Sequence, residues 1–175
     1  EMPEQTEGLV WGFQLWINLP KKLKMVEPAY QDIPSDAIPE IVRDGTTVKV
    51  IAGKLGEQEG PAQTKIGALY LDIYLQGESD FVAPIPEGWN GFLYVYEGSV
   101  ESGDGTTVGT GHLAVLGTEG EVRLTGGSGG SRTLLVAGEP INEPIARGGP
   151  FVMNTRGEVL QAFEDYQNGV FDKAV

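Results

Sequence analysis

The sequence predicts an all-β fold closed into a barrel, with one helix near the C-terminus. Three observations predict it. Gly, at 26 residues, and Pro, at 11, punctuate short hydrophobic segments, the pattern of many strands joined by tight turns. Those segments alternate with a period of two, and turn signals recur at the spacing of a sandwich or barrel. Closure into a barrel then hides the strand edges that an all-β chain leaves open.

The clearest strand is Ala68 to Leu75, with Leu69, Leu71, Ile73 and Leu75 on one face and Ala68, Tyr70, Asp72 and Tyr74 on the other. Phe13 to Leu19 has the same pattern, setting Phe13, Leu15, Ile17 and Leu19 against Gln14, Trp16 and Asn18, and is expected to be a half-buried strand. Further strands are expected at Val48 to Ala52, Gly91 to Tyr96, Leu113 to Leu116, Val122 to Thr125 and Thr133 to Ala137. Lys24 to Gly45 carries Pro28, Pro34 and Pro39 with little periodicity, so it reads as a connector with a helical turn at Ser35 to Ile38. Thr155 and Glu158 form a capping-box pattern, after which Val159, Ala162, Phe163 and Tyr166 recur at helical spacing until Gly169. That apolar stripe is expected to pack on the barrel.

Composition excludes several classes of function. Twelve Lys and Arg against 25 Asp and Glu give a formal charge of −13, which repels a phosphate backbone, so no direct nucleic-acid binding is expected. The basic cluster Lys21, Lys22 and Lys24 follows Pro20 and reads as a solvated loop. No apolar run approaches the roughly 18 residues of a membrane span, so no membrane partner is expected. With no cysteine there is no disulfide, thiolate metal site or cysteine nucleophile. The chain has neither an Asn-x-Ser/Thr sequon nor a signal-peptide pattern, which points to an intracellular, cytoplasmic protein, or a nuclear one if eukaryotic.

No residue stands out as catalytic or cofactor-binding. His112 is the only histidine and has no second ligand at metal spacing, so it reads as structural or solvent-facing. Gly103, Gly105, Gly109 and Gly111 imitate a phosphate loop, but a strand follows them where a helix N-terminus is needed, so they read as a hairpin loop. Gly126 to Gly130 reads as a flexible turn. Paired carboxylates such as Glu57 with Glu59, or Glu164 with Asp165, read as solvated charge.

Specific strings carry more than composition does. Gln14-Leu15-Trp16-Ile17-Asn18-Leu19-Pro20, Lys24-Met25-Val26-Glu27-Pro28-Ala29-Tyr30-Gln31 and Ile51-Ala52-Gly53 are followed by Gly138-Glu139-Pro140-Ile141-Asn142-Glu143-Pro144 and Gly148-Gly149-Pro150-Phe151-Val152-Met153-Asn154-Thr155. In order and spacing they resemble the pirin family over nearly the whole chain. The resemblance implies a cupin fold, a double-stranded β-helix or jelly roll, as part of a bicupin of two tandem barrels. It divides the chain into a remnant of the first barrel at 1–23, a connector at 24–45, a second barrel at 46–138, and a return segment with the terminal helix at 139–175.

In the family the metal, usually iron, sits in the first barrel on three histidines and one glutamate, the last two in a His-x-Glu pattern before Met-Pro. Glu1-Met2-Pro3 matches the end of that pattern, which makes Glu1 the candidate metal ligand and leaves the histidines upstream. The second barrel usually lacks ligands, and here Pro84, Pro86, Trp89 and Tyr94 to Glu97 stand where histidines would be. Gly157 departs from the family, which commonly has an acidic residue there. The implied activity of the complete protein is an iron-dependent, quercetin 2,3-dioxygenase-type oxygenase acting on a flavonol, this chain alone being inactive and without a cofactor. The alternative is a redox-sensitive binding protein or transcriptional co-regulator with a protein partner. Because Phe13, Leu15 and Ile17 would leave an apolar edge open, a dimer or a complementing N-terminal fragment is expected to cover them.

Overall fold

The computed structural model describes residues 7–8, 11–117 and 120–171. In chain order the strands are β1 (Glu40–Arg43), β2 (Thr46–Ala52), β3 (Lys54–Leu55), β4 (Gln58–Glu59), β5 (Ala68–Leu75), β6 (Asp80–Pro84) and β7 (Asn90–Glu97). They continue with β8 (Ser99–Ser102), β9 (Thr107–Gly109), β10 (Leu113–Val115), β11 (Glu121–Gly126), β12 (Ser131–Gly138), β13 (Ala146–Gly148) and β14 (Phe151–Met153), followed by helix α1 (Arg156–Gln167).

Two antiparallel sheets form the barrel, a large one in the order β1-β2-β5-β12-β7-β10 and a smaller one in the order β6-β11-β8-β9. Period-two alternation turns one face of each sheet inward. Val50, Leu71, Ile73, Leu93, Val95 and Leu135 of the large sheet meet Phe81, Ala83, Val100, Val122 and Leu124 of the small one in a single apolar core. Local chemistry supports the turns. Asp44 and Gly45 both have positive φ, at 48° and 78°, as a two-residue hairpin between β1 and β2 requires. At Gly98, with φ of 70°, a Cβ would lie 2.2 Å from the Gly130 carbonyl oxygen, so the β7–β8 corner tolerates only glycine.

All six strands expected besides Phe13–Leu19 form within one or two residues of their expected limits, and Ala68–Leu75 does so without change. A helical turn occupies Ser35–Ala37, as expected. The connector is more structured than its prolines suggest, because Glu40–Arg43 pairs with Thr46–Lys49 and extends the large sheet to its first edge. Gln31 pins the same stretch to the loop before β5, donating to the Gln63 carbonyl at 2.7 Å and accepting from its N–H at 2.8 Å.

Two expectations are corrected. Phe13–Leu19 is not a strand: alternation makes a strand possible, but a ladder needs a neighbour, and none of its backbone groups bonds another backbone group among the described residues. The helix stripe packs on the β13–β14 hairpin rather than on the barrel. Val159 sits over Gly148, and Phe151 meets the Phe163 ring edge-on at 4.9 Å and the Phe171 ring at 5.1 Å. Phe151 supplies the apolar surface the helix needs before the barrel is reached.

Truncating Leu135, fully buried at the centre of the large sheet, is expected to cost about 2–5 kcal/mol of unfolding free energy. Urea unfolding of Leu135→Ala against the parent chain checks this through the shift in midpoint at constant slope.

Candidate functional site on the outer face of the large sheet

The barrel interior is filled. Among the described residues its only buried polar side chains are Thr46, Ser131 and Thr133, and the Thr133 hydroxyl is turned to the Tyr94 carbonyl at 3.1 Å. Among the described residues no group of three or more His, Cys, Asp and Glu side chains is placed to hold a metal. His112 lies exposed in the turn between β9 and β10, its Nδ1 3.1 Å from the Thr110 carbonyl oxygen. The described residues therefore do not fit an iron centre, whose imidazole-rich ligand set this chain's single histidine could not supply. Glu1 lies outside the described residues.

The glycine-rich stretch at 103–111 is a β8–β9 hairpin, closed by the Asp104 carboxylate. It accepts from the Ser102 hydroxyl and, at 2.9 Å, from the Thr106 N–H. Glu57 and Glu59 are exposed, and Asp165 accepts from the Gln161 amide one helical turn earlier, at 2.9 Å. None of these gathers a site.

What does gather is the outward face of the large sheet, which is apolar where a barrel wall would meet water. On the central strand β12 the outward residues Leu134 and Val136 are only 6% and 9% exposed. The register aligns Val115, Phe92, Val136 and Tyr70 in one cross-strand row, and Leu113, Tyr94, Leu134 and Asp72 in the next. Residues 11–18 lie across these rows. The Phe13 ring is 5.0 Å from that of Tyr96 and 6.0 Å from that of Tyr94, and Trp11 stands edge-on to Tyr96 at 5.4 Å. Between this segment, β10 and the return segment 138–145 lies a groove of about 590 Å³, floored by Phe92 and Val136.

Polar groups mark one end of the face. The Tyr96 hydroxyl donates to Asp72 at 2.6 Å, and the Arg132 guanidinium lies 4.9 Å over the Tyr74 ring and 3.3 Å from Glu97. Burial under the aromatic segment and the bond to Asp72 push the Tyr96 phenol above its ordinary value, and burial pushes Tyr70 the same way. Both phenols stay neutral at physiological pH.

A second constellation ties residues 18–24 to the C-terminal unit. The Lys21 N–H donates to Glu143 at 2.8 Å while its ammonium pairs with Glu158 at 2.8 Å. Lys24 donates to the Asn18 side chain at 2.5 Å and the Val152 carbonyl at 2.8 Å, and the Asn154 amide also reaches Glu143 at 2.8 Å. Glu158 serves twice, since its other oxygen accepts from the Asn154 and Thr155 N–H groups in the expected capping box. The Lys21 ammonium and the cap hold Glu158 down to about 2, and Glu143 is lowered by its bonds to Lys21 and Asn154. Lys21 and Lys24 are thus structural anchors, not the solvated loop that charge alone suggests, because Glu143 and Glu158, which Lys21 bonds, and the Val152 carbonyl, which Lys24 bonds, lie more than a hundred residues away.

The closed antiparallel barrel with its filled interior defines a cupin-type domain. The pirin C-terminal cupin domain matches residues 70–172. A pirin-like protein of Solanum lycopersicum is 44% identical over 97% of this chain and 59% of its own length. Pirin of Homo sapiens is 40% identical over 96% of this chain and 59% of its own length. A quercetin 2,3-dioxygenase structure from Acinetobacter baumannii superposes with a TM-score of 0.84 at 34% identity, covering 89% of this chain and 55% of that one. The chain belongs to the pirin family, and it spans about three fifths of the curated relatives it matches.

Two predictions follow from the site. Tyr96→Phe is expected to cost about 0.5–1.5 kcal/mol by removing the donor to Asp72, measurable by chemical unfolding. For Glu158→Gln, which keeps the cap but loses the charge, the sign follows from a folded value of about 2 against an ordinary 4.5. The carboxylate stabilises the fold fully above the ordinary value and loses that effect as pH falls towards the folded one. The variant should therefore melt below the parent at pH 7, with the gap closing as pH falls from about 4.5 to 2, as thermal melts across that range would show.

Proposed function

We propose that this chain is the second barrel and terminal helix of a bicupin whose complete form is a quercetin 2,3-dioxygenase-type, iron-dependent oxygenase. The observation that carries the reading is the close superposition, at substantial identity, on the Acinetobacter baumannii quercetin 2,3-dioxygenase. On this reading residues 1–23 finish the first barrel, Glu1 supplies the carboxylate of its metal site, and the histidines come from upstream sequence. The second barrel acts as a rigid packed body that positions the first, and its filled interior binds no substrate. The chain by itself then turns nothing over.

The whole protein, loaded with iron, is expected to consume dioxygen with quercetin, followed with an oxygen electrode. Glu1→Ala in that protein is expected to lower both iron content and oxygen uptake, while Glu57→Ala, on the exposed β3–β4 hairpin, leaves both unchanged. Full iron occupancy without oxygen uptake would sink the oxygenase reading and favour a redox-sensitive binding role for the same metal.

A further inference from the structure

We infer that the cleft between residues 21–25 and helix α1 is a binding site for a small primary amine carrying an apolar ring. The site is built from this chain's own residues and is independent of the metal chemistry proposed above. A cavity of about 240 Å³ opens there, lined on its apolar side by Met25, Met153, Ala162 and Phe171. Residue size keeps it open. On α1 the positions 158, 162 and 165 share one face, and Ala162 puts only a methyl group between the longer Glu158 and Asp165. Cavities that take drug-sized ligands run to about 300–1,000 Å³, so this one suits a single ring with a short side chain. The Met25 and Met153 thioethers and the Phe171 ring make a wall for such a ring. Methionine sulfur packs well against aromatic edges, and its unbranched chain adjusts to the shape it meets.

The polar side of the cavity decides the charge of the occupant. The Lys21 ammonium pairs with Glu158 at 2.8 Å, and Lys24 is held by the Asn18 side chain and the Val152 carbonyl. Both oxygens of Glu158 are engaged, one by Lys21 and the other by the N–H groups of Asn154 and Thr155. Glu143 accepts from the Lys21 N–H and lies within the field of both lysines, so the two cations and the two glutamates balance. Asp165 is left over. One of its oxygens accepts from the Gln161 amide at 2.9 Å, while the other oxygen and the Gln161 side-chain carbonyl accept nothing among the described residues. The uncompensated charge on the wall is therefore a carboxylate with a free carbonyl beside it, and its complement is a compact cationic donor. An ammonium group brings three N–H donors to one point. The net charge of −13 also draws cations towards the chain and opposes an anion of the same shape.

Three probes of similar shape separate charge from size: 2-phenylethylamine, 2-phenylethanol and phenylacetate, each titrated into the whole protein by calorimetry. The amine is expected to saturate a single site. The alcohol should bind about fivefold more weakly, the weight of a partly exposed ion pair, and phenylacetate more weakly still. Asp165→Asn should bring the amine down about fivefold and leave the alcohol unchanged. Ala162→Leu, whose added carbons enter the cavity, should abolish binding of both amine and alcohol, with a thermal melt of the same sample as the check on folding. Asp165→Asn alters only the rim of the cleft, so it decides the matter even where Ala162→Leu does not fold. The inference is overturned if the amine fails to saturate, if the three probes bind alike, if phenylacetate binds tightest, or if Asp165→Asn leaves the affinity for the amine unchanged. Undiminished binding of the amine to a folded Ala162→Leu variant overturns it as well.

Discussion

Strand β12 lies at the centre of the large sheet, between β5 and β7, and is buried on both sides. Inward, Leu135 and Ala137 complete the barrel core; outward, Leu134 and Val136 form the floor on which residues 11–18 rest. A strand with two apolar faces cannot be a barrel wall against water, because each outward Leu or Val left exposed forfeits about 1.5–3 kcal/mol of transfer free energy. The rest of the architecture follows from covering that second face. The aromatic segment crosses it, the return segment 138–145 borders it, and Lys21 and Lys24 fasten the far end of the crossing segment to the C-terminal unit.

That fastening explains why the helix belongs to neither sheet. The β13–β14 hairpin and α1 form a small unit around Phe151, whose aromatic neighbours come from the helix and the residues just after it. The unit meets residues 18–24 through charged and amide groups. Glu158 caps its own helix and pairs with Lys21 at once, so the helix start and the tether share one carboxylate. Solvent screens an isolated surface pair, so the charge of this one contributes modestly.

The interior of this barrel is packed with hydrocarbon. Cupin barrels are suited to hold ligands because their inner faces converge on one axis, but here Leu93, Val95 and Leu135 occupy that axis with fully buried hydrocarbon. The chemistry proposed for the complete protein needs an imidazole-rich site that such a core cannot offer. What this barrel's residues provide is a packed apolar core shared by its two sheets.

The sequence by itself determined the class of fold, six of the fourteen strands among the described residues and the capped helix, because each rests on local pattern. Alternation at Ala68–Leu75 placed that strand without tertiary information, and Thr155 with Glu158 placed the helix start. The same local rule failed at Phe13–Leu19, where a strand's pattern is present and its ladder is not, since a hydrogen-bonded neighbour is a non-local fact. It failed again at Glu40–Arg43, too short beside Pro39 to show a period, yet paired once β2 folds back on it. Lys21 and Lys24 looked solvated because Glu143 and Glu158, the partners of Lys21, and the Val152 carbonyl, a partner of Lys24, are distant in sequence, and the second apolar face of β12 was hidden in a run, Thr133 to Ala137, that reads equally well as a wholly internal strand. Tertiary structure alone decided those contacts, because long-range pairing is set by which surfaces the closed sheets bring together.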